Sequence, residues 1–352
     1  MKKLRILVFG AGAIGTYVGG SLARMGHQVV FVEQPQVVEE LRLQGLRLRL
    51  AKTEGSETEP IVLHPSSSSV AFEPSISSAL EHAPFDVAIF ALKSFDTEMA
   101  LQSMLPQAVQ IPPVLCLQNG VDNEPAIAAI LGSDKVIAGT VTSSVGRQAA
   151  GDIVLERLRG VGLSSTHTLS DRLFAALSEA GVNPQLFPRA ADMKWSKMLT
   201  NLPANASAAI LDMTAAEVFA HPGLFRLETR MLLEALSVMK AHGITVVDLP
   251  GAPVRALALG TRLPEFISRP LLRKAIGGGR GGKMPSFHID LHSGRGKSEV
   301  EWLNGAVVRY GEQAGISTPV NKLLTETLVA LTRGDIPVET YSRQPEKLLA
   351  RL

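Results

Sequence analysis

The hydrophobic positions in the first half of the chain form short apolar runs that alternate with amphipathic segments. The runs have the length of β-strands, and most are apolar throughout, as in a parallel sheet covered on both faces. We predict strands over residues 4–9, 28–32, 46–50, 61–63, 86–92, 114–117, 136–142, 151–156 and 161–163, and helices over residues 16–25, 37–44 and 169–180. This alternation predicts an α/β domain with a mostly parallel sheet.

The pattern changes to long helical segments from about residue 190. Residues 191–201, 225–241 and 299–314 have helical periodicity, and a glycine follows each of the last two, as is typical of a helix end. A chain of 352 residues exceeds the size of a single core. We therefore predict two domains, an α/β domain over residues 1–190 and an all-helical domain over residues 191–352.

The first apolar run leads directly into Gly10-Ala-Gly12-Ala13-Ile14-Gly15, a G-x-G-x-x-G sequence between a predicted strand and a predicted helix. Gly10 permits a tight turn, Gly12 lets a pyrophosphate approach the backbone, and Gly15 permits close packing of helix on strand. The amides of Ala13 and Ile14, at the helix N-terminus, would face the anion. The α/β domain is therefore predicted to be a Rossmann-type domain that binds a dinucleotide.

Glu33, at the end of the second predicted strand, indicates which dinucleotide is bound. A carboxylate there can accept hydrogen bonds from the ribose hydroxyls of NAD, and it would repel the additional phosphate of NADP. Gln34 beside it has no charge, although Lys93 or Arg42 could supply a cation. The residues therefore predict an NAD(P)H enzyme and favour NADH.

Bulk composition excludes several classes of protein. The net charge of +2 argues neither for nor against nucleic acid, and because no basic aromatic stripe accompanies it we expect no nucleic-acid partner. No apolar run approaches the ~18 residues of a membrane span, so we expect no membrane association and a cytoplasmic protein. No metal site is predicted from the eight histidines, and Cys116 has no partner for an intrachain disulfide.

Two predicted strands of the α/β domain end at polar residues. Lys93 follows one of them and could reach a phosphate or the nicotinamide, or it could be an ordinary surface lysine. Asn119 follows another, within Gln118-Asn119-Gly120, where Asn-Gly is also a common turn sequence. Since open α/β sheets bind ligands at the carboxyl ends of their strands, both residues are candidates for the site.

The first helix of the second domain contains Lys197 and Asn201, which are four residues apart and hence share one face. Asn205 would continue that row if the helix persisted, but Pro203 would kink or end it. From these residues alone, Lys197 could equally be an exposed helix lysine.

Further along the second domain, the glycine-rich run over residues 277–282 could be a flap over an anionic substrate or a plain flexible loop. Ser298 can cap the helix that follows, and Glu299 and Glu301 suit its N-terminal dipole. Capping alone would explain these three residues.

Taken in order, these motifs resemble those of the ketopantoate reductase (2-dehydropantoate 2-reductase) family over nearly the whole chain. The resemblance depends on five blocks, which are Gly10 to Gly15, Ala91-Leu-Lys93, Gln118-Asn119-Gly120, Lys197-x-x-x-Asn201-x-x-x-Asn205, and Pro285-Ser286 followed by Ser298-Glu299-x-x-x-Leu303-Asn304-Gly305. It implies NAD(P)H-dependent reduction of ketopantoate to pantoate, in pantothenate biosynthesis, by a protein that can form a homodimer.

The resemblance also implies a role for each matching residue. Lys197 matches the general acid of the family, and Glu299 matches the acid that binds the substrate hydroxyl. The remaining matches are Lys93 on the cofactor side, Asn119 as an amide that contacts cofactor and substrate, Asn201 and Asn205 as substrate-site amides, and Ser286 as a donor to the substrate carboxylate.

The chain departs from the family pattern at three places. Glu33-Gln34 stands where many members have an arginine for the phosphate of NADP. Pro203 separates the two asparagines, and residues 286–299 form a slightly long segment. A reductase of another branched 2-oxo acid with the same lysine-based mechanism is therefore an alternative, and a non-catalytic redox sensor that binds dinucleotide is another.

Overall fold

The computed structural model describes residues 2–50, 59–66, 69–277 and 284–352. The chain divides into two compact units. The N-terminal unit comprises Met1–Gln118, Asn123–Lys194 and Leu249–Ala252, and the C-terminal unit comprises Asn119–Asp122, Trp195–Asp248 and Pro253–Leu352. Residues 278–282 of the predicted glycine-rich loop lie outside the described residues.

Twelve strands are present in the described part of the N-terminal unit. They are β1 (Arg5–Phe9), β2 (Gln28–Val32), β3 (Leu46–Arg49), β4 (Ile61–Leu63), β5 (Val70–Glu73), β6 (Val87–Phe90), β7 (Val114–Cys116), β8 (Val136–Val141), β9 (Ser144–Ala149), β10 (Asp152–Arg157), β11 (Val161–Ser164) and β12 (Pro184–Phe187). Eight form a sheet in the order β12-β11-β8-β7-β6-β1-β2-β5, parallel except between β11 and β8. The other four form a second sheet in the order β4-β3-β10-β9. The predicted Rossmann-type α/β fold is confirmed.

The helices of this unit connect the strands. They are α1 (Ala13–Arg24), α2 (Pro35–Gln44), α3 (Ile76–Leu80), α4 (Thr97–Met104), α5 (Asn123–Leu131) and α6 (Ser170–Glu179). Alternate residues of β1 belong to two separate apolar clusters. Ile6 and Val8 lie in one cluster, and Leu7 and Phe9 lie in the other. Both faces of the main sheet are therefore buried, which explains why its strands are apolar throughout.

The elements of the C-terminal unit, in the part described, are helices, as predicted. They are α7 (Ala190–Asn201, which starts in the N-terminal unit), α8 (Ala206–Leu211), α9 (Ala215–Ala220), α10 (Pro222–Ala241), α11 (Val254–Thr261), α12 (Glu265–Leu272), α13 (Ser286–Leu291), α14 (Asn304–Gln313), α15 (Pro319–Arg333) and α16 (Pro345–Leu349). Shorter 3-10 or π turns occur in both units. They cover Ser94–Asp96, Leu105–Gln107 and Ser133–Lys135 in the N-terminal unit, and Arg273–Gly277, Glu299–Trp302 and Val338–Thr340 in the C-terminal unit. Within the described ranges, no helix combines the length and the apolar character needed to cross a bilayer.

The prediction of one continuous helix over residues 299–314 is wrong. The segment begins as the 3-10 turn Glu299–Trp302, and α14 starts only at Asn304. Leu303 between them has φ −109° and ψ −83°, outside helical geometry. The side chain of Asn304 is fully buried and donates to Asn321 Oδ1 at 3.1 Å. The break therefore coincides with a buried polar contact that helical periodicity does not reveal.

Candidate active site

The turn between β1 and α1 needs glycine at two of its three glycine positions. Gly10 has φ +95°, in the left-handed region that side chains disfavour. A Cβ placed on Gly15 would lie 1.9 Å from the carbonyl oxygen of Gly10. Only glycine at residue 15 therefore lets α1 start this close to the end of β1.

Gly12 differs from the other two glycines, because its backbone has φ −71°, which any residue can adopt. A Cβ placed there would meet none of the described residues within 4 Å. The space lies at the N-cap of α1, where the amides of Ala13 and Ile14 begin a 12-residue helix. An open face at a helix N-terminus fits the pyrophosphate of a dinucleotide.

Glu33 lies just after β2, and its carboxylate is bound to the same turn. Oε1 accepts a hydrogen bond from the amide of Ala11 at 2.7 Å, and Oε2 accepts one from the amide of Gln34 at 3.1 Å. These bonds hold the negative charge at the end of the strand, beside the glycine turn. That is the position from which a carboxylate receives ribose hydroxyls in this fold.

Arg42, which could have supplied a cation for the phosphate of NADP, is bound elsewhere. Its guanidinium donates to the carbonyl oxygen of Phe72 at 3.1 and 2.8 Å, and it lies 3.4 Å from the carboxylate of Glu73. Both partners belong to β5. The guanidinium group of Arg42 is therefore bonded to that strand.

Lys93 is partly buried and directly precedes the turn Ser94–Asp96 that follows β6. A polar network surrounds this turn, because the side chain of Asn123 donates to Ser94 Oγ at 3.1 Å and accepts from Thr97 Oγ1 at 3.0 Å. The network holds the turn that directly follows Lys93, after the carboxyl end of β6.

Lys197, Asn201 and Asn119 form a hydrogen-bonded row within the C-terminal unit. Lys197 Nζ donates to Asn201 Oδ1 at 2.7 Å, and Asn201 Nδ2 donates to Asn119 Oδ1 at 3.0 Å. All three side chains are partly buried, so Lys197 is not a plain surface lysine. The row orients an ammonium group through one amide, which a second amide holds in turn, and such a group can donate a proton and bind an oxyanion.

Asn205 does not continue this row, because α7 ends at Asn201. Pro203 follows, Ala204 has φ +47°, and α8 begins after Asn205. The buried carboxylate of Glu228 stabilises the break by accepting from the amide of Ala204 at 2.7 Å and from the hydroxyl of Ser207.

The side chain of Asn205 instead holds the start of α13. Its Oδ1 accepts from the amide of Phe287 at 3.1 Å, and its Nδ2 lies 3.3 Å from Ser286 Oγ. Nδ2 also donates to the carbonyl oxygen of Asn201 at 3.1 Å. The two predicted substrate-site residues Asn205 and Ser286 are therefore in contact with each other.

Glu299 is the first residue of its 3-10 turn, and only 3% of its surface is exposed. Ser298 caps that turn, since its hydroxyl accepts from the amide of Val300 at 3.3 Å. Capping explains Ser298. It does not explain a buried carboxylate at Glu299, because a glutamate that only complements a helix dipole can remain in solvent.

The ion pair of Lys194 with Glu124 was not predicted from the sequence. Lys194, one turn before Lys197 in α7, is 5% exposed and lies 2.7 Å from Glu124 Oε1. Its neighbours in the helix, Met193 and Trp195, are also buried. A lysine between two apolar residues was therefore the sequence signal that could have indicated its burial. Among the residues that the structure describes, no group of three or more His, Cys, Asp or Glu could hold a metal ion.

Comparison with known proteins assigns two parts of the chain to one family. Residues 6–165 match the family described as Ketopantoate reductase PanE/ApbA, and residues 189–332 match Ketopantoate reductase PanE/ApbA C terminal. A 2-dehydropantoate 2-reductase of Halobacterium salinarum is 27% identical over 341 residues, covering 94% of this chain and all of the relative.

Solved structures show the same fold. The crystal structure of a PanE/ApbA family ketopantoate reductase from Ralstonia eutropha JMP134 superposes with a TM-score of 0.76 at 25% identity, over 94% of this chain and 99% of the other. A ternary structure of D-mandelate dehydrogenase with NADH and anilino(oxo)acetate has a TM-score of 0.72 at 22% identity, with the same coverage, and it shows a common fold. The two family matches together span most of the sequence, and the chain belongs to the ketopantoate reductase family of NAD(P)H-dependent oxidoreductases.

Proposed function

We propose that the protein is a 2-dehydropantoate 2-reductase that reduces ketopantoate to pantoate with NADH, as a step of pantothenate biosynthesis. The row Lys197–Asn201–Asn119 is the observation that carries the proposal, because it holds a partly buried ammonium group against the amide of Asn201, which is itself bonded to Asn119. A sensor that only binds dinucleotide would not need this group.

When bound at the glycine turn, the dinucleotide would supply the hydride that reduces the C2 carbonyl carbon of the oxo acid. Lys197 donates a proton to the carbonyl oxygen, so that the ketone becomes an alcohol. Before the proton moves, the positive charge of Lys197 stabilises the negative charge that develops on this oxygen. Asn201 directs the ammonium group of Lys197 through their 2.7 Å hydrogen bond.

Three further residues would bind the substrate. Ser286, at the start of α13, would donate to its carboxylate, with Asn205 holding that helix start in place. Glu299 would accept a hydrogen bond from the hydroxyl group of ketopantoate. This role is supported by the position of Glu299, which is buried at the start of its 3-10 turn and matches the substrate-binding acid of the family.

The preference for NADH is supported by the charges at the end of β2. Glu33 places a carboxylate beside the glycine turn, and Arg42 is bound to Phe72 and Glu73. The deciding experiment is the initial rate of NADH and of NADPH oxidation with ketopantoate. Fast turnover with NADH supports both parts of the proposal, whereas turnover with NADPH only would retain the reductase and overturn the cofactor choice.

Turnover with neither cofactor would contradict ketopantoate as the substrate. If NADH still binds in that case, as judged by the fluorescence of the nicotinamide, other branched 2-oxo acids become the next substrates to assay. Failure of every 2-oxo acid would favour the sensor.

In Glu33→Gln, the ratio of kcat/KM with NADH to kcat/KM with NADPH should fall by roughly tenfold, which corresponds to about 1.4 kcal/mol. The amide removes the charge that repels a 2′-phosphate but keeps the size of the side chain. The ratio of kcat/KM for the two cofactors measures the effect. Glu39→Gln, an exposed change on the adjacent helix α2, should leave the ratio unchanged. An unaltered ratio in Glu33→Gln would remove Glu33 from cofactor selection.

Ser286→Ala should raise the KM for ketopantoate by roughly tenfold, with the melting temperature unchanged, because the hydroxyl is on an exposed residue and its loss removes one donor. Steady-state kinetics at saturating NADH measure it. Ser237→Ala on α10, whose hydroxyl donates to its own helix, is the matched control. A KM equal to that of the control would exclude Ser286 from the carboxylate site.

A further inference from the structure

The ammonium group of Lys194, which is buried in the N-terminal unit, has three oxygen partners, two of them through hydrogen bonds and one through an ion pair. Its Nζ donates to the carbonyl oxygen of Gln118 at 2.6 Å and to that of Gly139 at 3.2 Å. The third partner is Glu124 Oε1 at 2.7 Å. An ammonium group with three acceptors, one of them a carboxylate, is bound in a defined orientation.

The charge of Lys194 is maintained by this environment. Burial lowers the pKa of Lys194, but the negative charge of Glu124, the neighbouring Cys116 and the hydrogen bond to Glu124 outweigh burial, so that the pKa is raised above its ordinary value. Lys194 is therefore a permanent cation near neutral pH. It can hold acceptors in place, but it is a poor proton donor.

The bond to Gln118 controls one particular peptide plane. Because the peptide unit is planar, the carbonyl oxygen of Gln118 and the amide nitrogen of Asn119 belong to the same rigid group. Lys194 therefore sets the direction in which the chain enters Asn119. The side chain of Gln118 is held separately, by the carbonyl oxygen of Leu92 at 3.1 Å and by Thr97 Oγ1 at 2.8 Å.

The same lysine is one helical turn from Lys197. A closed path of bonds thus runs from Lys194 to the peptide of Gln118 and Asn119, then through Asn201 to Lys197, and back along α7. Each hydrogen bond in the path measures 3.0 Å or less. A displacement of about 1 Å in a site of this kind can lower activity by roughly 100-fold.

We propose that Lys194, paired with Glu124, is a positioning residue that sets the geometry of Asn119 and Lys197. The inference rests on the function proposed above for that row. Burying two charges is costly, and an apolar pair would pack into the same space at lower cost. An ion pair at this place is therefore better explained by the orientation that it imposes than by stability.

The test uses a double variant, Lys194→Met with Glu124→Gln. Lys194→Met alone would leave the carboxylate of Glu124 buried without its partner, which is strongly destabilising and could prevent folding. The double variant removes both charges together and removes the donor to Gln118. Asp86→Asn is the matched control, because Asp86 accepts from the amide of Arg5 at 2.8 Å and pairs with Arg172 at 2.9 Å just before β6, at the opposite end of that strand from Lys93.

For the double variant we expect kcat/KM for ketopantoate to fall by roughly 10- to 100-fold, while the Kd for NADH stays within about threefold. The shape of the pH–rate profile should not change, because Lys194 donates no proton in the reaction. Asp86→Asn should retain kcat/KM at a comparable melting temperature. Full activity in the double variant, or an equal loss in the control, would overturn the proposal.

A second measurement does not depend on the substrate. Amide hydrogen exchange should become faster over residues 119–122 in the double variant and not in Asp86→Asn, because the peptide that enters this segment loses its anchor. Unchanged exchange would overturn the positioning role even if ketopantoate is not the substrate. Faster exchange in a protein that does not reduce ketopantoate would support the positioning role and contradict only the proposed function.

Discussion

Replacing Lys197 with alanine should lower kcat for ketopantoate by about 1,000-fold and leave the Kd for NADH unchanged. General acid catalysis accounts for roughly 100- to 10,000-fold of rate in enzymes, and the same change removes a positive charge beside the developing alkoxide. Since the side chain is bound to Asn201 and belongs to the C-terminal unit, its loss leaves the glycine turn intact. Single-turnover reduction measured by nicotinamide absorbance, together with NADH fluorescence titration, separates the two effects.

The control is Lys322→Ala, an exposed lysine on α15 that pairs only loosely with Glu326 at 3.8 Å. It should retain full activity. If Lys197→Ala lost less than about tenfold in kcat, Lys197 would not be the general acid. If it lost NADH binding as well, the residue would support the fold or the cofactor and the assigned role would be wrong.

The second large effect is expected at Gly15. In Gly15→Ala the new Cβ would lie 1.9 Å from the carbonyl oxygen of Gly10, so α1 must move away from β1. The clash involves backbone, which cannot be relieved by turning a side chain. We expect the free energy of unfolding to fall by about 3 kcal/mol or more, with loss of NADH binding. Chemical denaturation and fluorescence titration measure the two quantities.

Gly12→Ala separates folding from binding at the same turn. Its φ of −71° suits alanine, and the Cβ would meet open space among the described residues. The free energy of unfolding should therefore change by less than about 1 kcal/mol. The Kd for NADH should rise roughly 100-fold, because the methyl group occupies the space that the pyrophosphate needs. NADH binding at the original Kd in Gly12→Ala would contradict the placement of the cofactor.

Much of the fold could be predicted because its signals are local. The continuous apolar runs of the main sheet follow from burial on both faces, as the alternate sides of β1 show. Strand β12 was missed, since it follows Asn183 with φ +53° in a segment that reads as a helix end, and it pairs only with β11. Pairing with a neighbour that is distant in sequence leaves no local pattern.

Some residues of the candidate site could likewise be predicted from local sequence, and others could not. Gly10, Gly12 and Gly15 could be assigned from spacing, because each acts on its own stretch of backbone. Lys197 could not be distinguished from a surface lysine without the family resemblance. Pro203 left open whether Asn205 continues the same helical face, and the helix ends four residues before Asn205. The deciding contacts, such as those of Asn205 with Ser286 and Phe287, join residues about 80 positions apart.

The sequence by itself determined the class of fold, the dinucleotide turn and the carboxylate at its edge, because periodicity, glycine geometry and strand ends are properties of neighbouring residues. Only the tertiary structure decided which of two lysines in one helix is buried as an ion pair and which is held by an amide. Lys194 and Lys197 are only three positions apart, and their difference comes from Glu124, Gln118 and Asn201. The charge state and orientation of a side chain depend on the partners that folding brings to it, which a one-dimensional pattern does not contain.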